Sequence, residues 1–369
     1  MSLFLCALIL QVSVVVDTTE EVVILTNEAV PASIELGQYY ASRRKIPFRQ
    51  ILSVRTGTKE GMTWADYRSQ IETPLRRFLE KRPDVKYIVP IYGIPVKIQE
   101  ENKANDQKTG KSVSRYVESR DYCCVDREIE LLRKDHEREG WIPSSTFRLN
   151  RSLTKEDGVY LVCRLDGPSP ESVRAMIDNA IHGEAYGIEG TSFLDTRGLK
   201  EGGYAGIDQE MKNIASVYEK YGVPFTHDDQ KDVVPLGKNP IQAHYWGWYT
   251  THVKVEKGFR FARGSVGAHL HSYSAGRLRT HNKNWAGPLI HHGITATCGT
   301  VYEPLASGFP YGTIFLDRFF QGYNFAEAMQ MANMFTSWMA VFVGDPLYAP
   351  YAKGRAEQQA RNRKLLREG

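Results

Sequence analysis

The segment 264–300 contains GSVGAHLHSYS (264–274), WAGPLIHHG (285–293) and ITATCGT (294–300). The first and third stretches are apolar and short, which indicates buried strands. The stretch between them ends in His-His-Gly, which is typical of the last turn of a helix. A strand, a helix and a further strand predict two parallel strands joined by a crossover helix.

The same alternation of strands and helices extends from about residue 20 to residue 345. Strand-like runs include EVVILTN (21–27), VKYIVPIYGIPVKI (85–98), GVYLVCRLDG (158–167) and TSFLDTRG (191–198). Amphipathic stretches separate them, and there is no internal repeat. The sequence therefore predicts an α/β fold with a mainly parallel sheet and helices on both of its faces.

Composition restricts the classes of function. The 369 residues are 42% hydrophobic and 24% charged, which suffices for a large buried core. The formal net charge is only +4, and no dense basic stripe is interleaved with aromatic residues. These features argue against a nucleic-acid partner.

The predicted organisation has four parts. A first α/β unit covers 20–150 and contains a polar insertion at 99–119, and a second α/β unit covers 151–350. Residues 351–369 form a basic tail helix. The apolar run 3–16 is too short for a transmembrane helix. Residues 1–19 are therefore either a signal peptide, with an extracytoplasmic location, or a buried first strand, with a cytoplasmic one.

Polar residues follow several of the predicted strands. Asp166 ends one strand, and Asp195 and Arg197 end another. Ligands of parallel sheets bind beyond the carboxyl ends of the strands, so we expect such residues to line one edge of the sheet. Each aspartate has the alternative role of capping the helix that follows.

The strand at 266–271 carries two histidines at alternate positions. His269 and His271 therefore share a face, with backbones about 6.6 Å apart, and could bind one divalent metal ion. Glu303, His244 or a nearby aspartate would be the third ligand. The alternative is a pair of hydrogen-bonded core histidines.

Ser272 follows this strand directly, at a position suited to a nucleophile. His244, His269 or His271 would act as its base, and Asp166 or Asp195 would orient that base. A turn or cap residue is the alternative for Ser272.

Aromatic residues cluster around Gly247 in the stretch HYWGWY (244–249). Trp246, Trp248 and Tyr249 could stack on a sugar or clamp a peptide, although aromatic residues in strands commonly pack in the core. Tyr92 and Arg197, at the ends of other strands, are further candidates for ligand contact.

Several motifs resemble those of a known group. The series YIVPIYGIPVKI, VCRLDGPS, YWGWY, HLHSYSAGRL, WAGPL, TVYEPLASG and FVGDPLY resembles an uncharacterised bacterial family from genomes that carry exosortase-type sorting systems. The similarity covers about 20–350. It implies a leader, which favours secretion, and it implies no activity.

A more distant resemblance, over 240–350, is to the gingipain family of caspase-like cysteine peptidases. It is carried by FAEAMQMAN (325–333) and VGDPLY (343–348). It implies a caspase-like fold of three layers, helix on sheet on helix. Trp248 stands where that family has its histidine, and His271 or Ser272 lies near the expected cysteine. The Cys/His dyad is therefore missing, and a thiol peptidase is not expected.

Two functions follow from these patterns. The first is a binding protein with a caspase-like scaffold that holds a peptide, protein or glycan without catalysis. The alternative is a hydrolase, metal-dependent or serine-type, that uses His269, His271 and Ser272.

Overall fold

The computed structural model describes residues 18–99, 122–134, 141–238, 242–250 and 252–355. The apolar run 3–16 lies outside the described residues, as do residues 100–119 of the polar insertion and the tail beyond residue 355. The strands are β1 (Val22–Asn27), β2 (Ile51–Val54), β3 (Gly61–Met62), β4 (Tyr87–Pro90), β5 (Lys97–Ile98), β6 (Cys123–Cys124), β7 (Leu161–Val162), β8 (Thr191–Asp195), β9 (Phe225–Asp228), β10 (Gln242–Trp248), β11 (Val266–Leu270), β12 (Ala296–Thr300) and β13 (Ala340–Val343).

The α-helices alternate with these strands. They are α1 (Pro31–Arg44), α2 (Trp64–Asp66), α3 (Thr73–Leu79), α4 (Val125–Glu130), α5 (Pro170–Tyr186), α6 (Ala205–Lys212), α7 (Ile214–Tyr221), α8 (Ala286–His291), α9 (Gly312–Phe320) and α10 (Phe325–Ala332). Short 3-10 turns lie at Thr18–Glu21, Phe48–Gln50, Leu131–Arg133, Lys155–Asp157 and Ala306–Gly308.

A π-helical turn, Tyr67–Glu72, joins α2 to α3. The sequence predicts one helix here with a kink at Pro74, because proline lacks the N–H group and its ring clashes with the preceding turn. The Thr63 hydroxyl accepts a hydrogen bond from the Asp66 N–H at 3.1 Å and so begins α2. The wider π turn lets the chain continue past Pro74.

The strands form two larger sheets and one small one. The first has the order β2-β1-β4-β7 and is parallel. The second has the order β13-β12-β11-β10-β8-β9 and is parallel except for β13. The third contains β3, β5 and β6.

The two larger sheets run in opposite directions. Arg164, just after β7, forms a parallel bridge to Val343 of β13, and β13 is antiparallel to β12. The carboxyl ends of β1, β4 and β7 therefore lie at one edge, and those of β8–β12 lie at the other. The expectation that all the polar strand ends line one edge is wrong, because the reversal at β13 separates Asp166 from Asp195.

Helices cover both faces of each larger sheet. In the first, Ile24 packs in one hydrophobic cluster with Tyr40 of α1, while Leu25 packs in another with Leu75 of α3. In the second, Tyr245 faces Trp285 at the start of α8, at 6.3 Å between ring centroids. Its neighbour Trp246 stacks on Phe315 of α9 at 5.8 Å. The predicted α/β fold with helices on both faces is confirmed.

The predicted boundary near residue 150 does not coincide with the boundary between the sheets. β7 belongs to the second predicted unit but pairs with β4 of the first. In the described parts of the chain, no helix is long and apolar enough to cross a membrane.

Candidate functional site

A cleft of about 550 Å³ opens at the carboxyl ends of β10 and β11. We call it the β10–β11 cleft. Parallel strands leave such a space because their following loops diverge. Its lining residues are Gly203, Tyr204, Ile207, Trp248, Tyr249, Leu270, His271, Ser272, Glu303, Leu305, Ala306 and Phe309. Five of the residues predicted from the sequence thus meet here: Trp248, Tyr249, His271, Ser272 and Glu303.

Strained backbone surrounds this cleft. Tyr249 has a φ angle of 94°, and Leu305 has a φ angle of 57°. Tyr273, next to Ser272, has a φ angle of 60°. Each such conformation of a residue other than glycine costs about 1–3 kcal/mol, and strain of this kind concentrates at binding and active sites.

One wall of the cleft is aromatic. The ring centroid of Trp248 lies 5.9 Å from that of Tyr204 and 5.4 Å from that of Tyr249. The Trp248 indole N–H donates to Asp208 Oδ1 at 2.9 Å, which fixes the indole orientation. The Arg197 guanidinium lies 3.9 Å from the centroid of the Tyr249 ring and covers that ring.

The tautomer of His271 follows from its hydrogen bond. Nδ1 lies 2.6 Å from the main-chain oxygen of Ser272. A carbonyl oxygen only accepts, so Nδ1 carries the proton and Nε2 has the free lone pair. Burial lowers the pKa of His271, and the neighbouring His252 lowers it further, while the bond to Ser272 and the charge of Glu303 raise it. A neutral imidazole with an acceptor nitrogen therefore stands in the cleft.

Ser272 lies beside this imidazole without forming a dyad with it. The Nδ1 proton of His271 is committed to the Ser272 carbonyl. Within the described residues, no hydrogen bond joins the Ser272 hydroxyl to an imidazole nitrogen. The geometry of an activated serine is thus not preformed.

His269 lies deeper, outside the lining of the cleft. Its Nδ1 is 2.8 Å from the Tyr245 hydroxyl, and its ring stacks on Trp285 with centroids 3.3 Å apart. Burial lowers the pKa of His269 well below its usual value. Among the residues that the structure describes, no group of three or more His, Cys, Asp or Glu side chains could hold a metal ion. The predicted metal pair therefore has no third ligand there.

His244 and Trp246 lie on the opposite face of β10 from Tyr245. His244 Nδ1 is 2.8 Å from the Ser192 hydroxyl, and burial lowers the pKa of His244 to about 3. His244 pairs in register with Val266, at the start of β11, so the structure does not bring it to Ser272. Trp246 is buried against α9 and does not line the cleft.

The two candidate aspartates occupy different places. Asp195 ends β8, and burial raises its pKa to about 7, with a further rise from the charge of Asp228. Asp166 follows β7 of the first sheet and is buried at the edge opposite to the carboxyl ends of β8–β12. Arg164 Nη1 donates to it at 2.9 Å. Tyr92 is also at that edge, with the Arg279 guanidinium 5.3 Å from its ring centroid.

The described cysteines are poor nucleophiles. Cys123, Cys124, Cys163 and Cys298 are all buried. Burial raises the pKa of Cys298 to about 12, so its thiol stays protonated at neutral pH.

Sequence reasoning missed Tyr204, Leu305 and Phe309, which complete the cleft. Tyr204 follows the pair Gly202-Gly203 in a loop, and Leu305 follows Pro304. An exposed aromatic residue in a glycine-rich loop after a strand is the local signal that could have indicated Tyr204.

The chain shows little similarity to known proteins. No family model matches the chain, and no curated protein matches its sequence. A solved structure described as "Structure of Protease" matches 90% of this chain and 78% of that chain, with a TM-score of 0.43 and 9% sequence identity. The two family resemblances remain predictions from the sequence.

Proposed function

We propose that the β10–β11 cleft binds a segment of a peptide or glycan and holds it without a covalent step. One observation carries this proposal: exposed apolar side chains concentrate at the cleft. Tyr204, Tyr249 and Leu305 are three of the six large hydrophobic residues that are exposed in the described chain. Exposed apolar groups that gather at a concave surface mark binding sites.

The polar groups of the cleft indicate the chemistry of the ligand. The Glu303 carboxylate and Nε2 of His271 are hydrogen-bond acceptors, whereas the Ser272 hydroxyl can donate or accept. A matching ligand therefore offers N–H or O–H donors beside an apolar face. Peptide amides with an apolar side chain meet this requirement, and so do sugar hydroxyls with the C–H face of the ring.

The cleft is also preorganised. The hydrogen bond from Trp248 to Asp208 and the Arg197 guanidinium over Tyr249 hold the aromatic wall before any ligand arrives. Rigid aromatic contacts lose little conformational entropy on binding, so the affinity does not depend on reordering the wall.

The experiment compares two tyrosine variants. Fluorescein-labelled peptides of mixed sequence and an array of oligosaccharides would be tested against the wild type, Tyr204→Ala and Tyr186→Ala. Tyr186 is 78% exposed and lies at the end of α5, outside the cleft lining, which makes it a matched control. We expect Tyr204→Ala to weaken binding about tenfold, or about 1.4 kcal/mol, and Tyr186→Ala to leave it unchanged. Equal binding by both variants would refute the proposal.

Hydrolysis is the second candidate, and the tautomer of His271 favours it. Nε2 is a free base that could take a proton from water or, after a rotation of the side chain, from Ser272. Turnover of casein or p-nitrophenyl esters, lost in both His271→Gln and Ser272→Ala, would establish the serine-type reaction. Turnover lost only in His271→Gln would indicate attack by water.

An extracytoplasmic location is a separate proposal, and it rests on the apolar run at 3–16. Fractionation of cells that express the full chain tests it. Accumulation of the protein in the cytoplasm at full length would overturn it.

A further inference from the structure

A second cavity, of about 470 Å³, lies on the first sheet, far along the chain from the β10–β11 cleft. It opens between the end of α3, the turn Leu131–Arg133 and the segment that enters β7. Among the residues that the structure describes, four cationic side chains line it, against one carboxylate: Arg76, Arg133, Lys134 and Lys155, with Glu80. We call it the basic cavity.

Two contacts hold the Arg133 side chain, which is one of the four described cations of the cavity. One terminal nitrogen, Nη2, donates to the main-chain oxygen of Val85, and the guanidinium carbon lies 4.1 Å from the centroid of the Tyr160 ring. Its Nε is buried and has no hydrogen-bond partner among the residues that the structure describes. Buried donors almost always have an acceptor, so this N–H is an unsatisfied hydrogen-bond donor on a side chain that lines the cavity.

The described charges around the cavity leave a positive excess at Arg133. Glu72 pairs with Arg76 at 2.9 Å, and Asp84 pairs with Lys155 at 3.3 Å. Arg133 instead donates to a carbonyl, which carries no net charge. The same guanidinium and that of Arg76 both act on the Tyr160 hydroxyl, where they oppose the rise that burial causes in its pKa. Arg133, Arg76 and the Tyr160 hydroxyl thus converge on one space.

We propose that the basic cavity binds the phosphate group of a small phosphorylated molecule. A guanidinium matches the spacing of phosphate oxygens, and charge-assisted hydrogen bonds of this kind are stronger than neutral ones. The Tyr160 hydroxyl supplies a further donor. The volume of the cavity exceeds that of a phosphate ion, so there is room for the group to which the phosphate is attached.

Calorimetric titration of the full chain with inorganic phosphate at low ionic strength tests this site. The matched variants are Arg133→Gln and Arg77→Gln, which remove the same charge. Arg77 is exposed on α3 and does not line the cavity. We expect Arg133→Gln to weaken phosphate binding at least about tenfold and Arg77→Gln to change it less than about twofold.

Equal weakening by the two variants would show only a general effect of net charge and would overturn the proposal. So would the absence of phosphate binding to the wild type. If Arg133→Gln does not fold, Lys155→Gln replaces it, because the Lys155 side chain is 51% exposed and its loss does not disturb the core. We then expect a loss of about threefold, since Lys155 is a half-exposed point charge that solvent screens and that already pairs with Asp84.

A second experiment distinguishes a soluble phosphorylated ligand from a lipid headgroup. Co-sedimentation would use vesicles of phosphatidylcholine with and without phosphatidic acid. Binding to the phosphatidic acid vesicles without binding of inorganic phosphate would overturn the assignment to a small molecule. Binding of inorganic phosphate alone would support it.

Discussion

Arg279 donates two hydrogen bonds to Asp166, from Nε at 3.1 Å and from Nη2 at 2.8 Å. Arg279 belongs to the segment that follows β11, which begins with His271 and Ser272, whereas Asp166 follows β7 in the other sheet. Arg279 also donates to the main-chain oxygen of Ile94 at 2.7 Å. Hydrogen bonds thus join the segment next to the cleft to the residues that follow β4 and β7 of the first sheet.

We expect Asp166→Asn to destabilise the protein by about 3–5 kcal/mol, because it removes a negative charge that compensates the buried Arg164 and the partly buried Arg279. Urea unfolding measures the free energy. The control is Asp84→Asn, at an ion pair whose carboxylate is 79% exposed, with an expected loss below about 1 kcal/mol. Equal losses for the two variants would show that the ion pairs of Asp166 with Arg164 and Arg279 add no more stability than an exposed ion pair.

Two glycine substitutions should have opposite effects. A Cβ at Gly267 would lie 2.2 Å from the main-chain oxygen of Tyr245 on the adjacent strand, so β10 and β11 would have to separate. We expect Gly267→Ala to lower the free energy of unfolding by about 1–3 kcal/mol or more.

Gly206 lies in α6, and a Cβ there meets nothing within 4 Å. Gly206→Ala should raise the free energy of unfolding by about 0.5–1 kcal/mol, because alanine loses less backbone entropy in a helix. Thermal denaturation of Gly267→Ala and Gly206→Ala measures the two changes in stability. A neutral Gly267→Ala would contradict the close approach of the two strands.

Asp195 should make stability depend on pH. Burial and the charge of Asp228 raise its pKa to about 7 in the folded state, whereas the unfolded chain has a pKa of about 3.9. Between these values the folded protein holds a proton that the unfolded chain lacks. The stability that Asp195 contributes should therefore be fully present below about pH 4 and be lost as the pH rises through about 7.

Asp195→Asn removes this titration, so its urea midpoint should fall less than that of the wild type across the same range. Asp232→Asn, at an exposed position, is the control and should follow the wild type. An unchanged slope for Asp195→Asn would disprove the assignment.

The tautomer of His271 can be observed directly. Its Nδ1 faces the carbonyl of Ser272, so we expect a protonated Nδ1 and an unprotonated Nε2 at neutral pH. Long-range ¹⁵N–¹H correlation spectra measure the two nitrogens, and His271→Gln assigns them. His292 is an internal reference, because its Nδ1 faces the carbonyl of Phe259 at 3.2 Å and requires the same tautomer. A protonated Nε2 on His271 would exclude its role as a base.

Much of the fold and part of the cleft could be predicted from the sequence. The spacing of apolar residues predicted the strands around Ile24, Phe193 and Ala268, because buried strands require such runs. The polar residues that follow β11 also indicated the position of the cleft, because His271 and Ser272 line it. The positions of Asp166 and His244 could not be predicted, because they depend on strand direction and on the face of β10.

By itself, the sequence determined the α/β class and the presence of polar and aromatic residues after β10 and β11. These properties are local, since the period of the apolar pattern and the position of a residue in its own strand decide them. Only the tertiary structure decided which strand ends share an edge. The antiparallel β13 reverses the sheet through pairings between residues far apart in the chain, such as Arg164 with Val343. No local pattern encodes that reversal, and it separates the β10–β11 cleft from the ion pairs around Asp166.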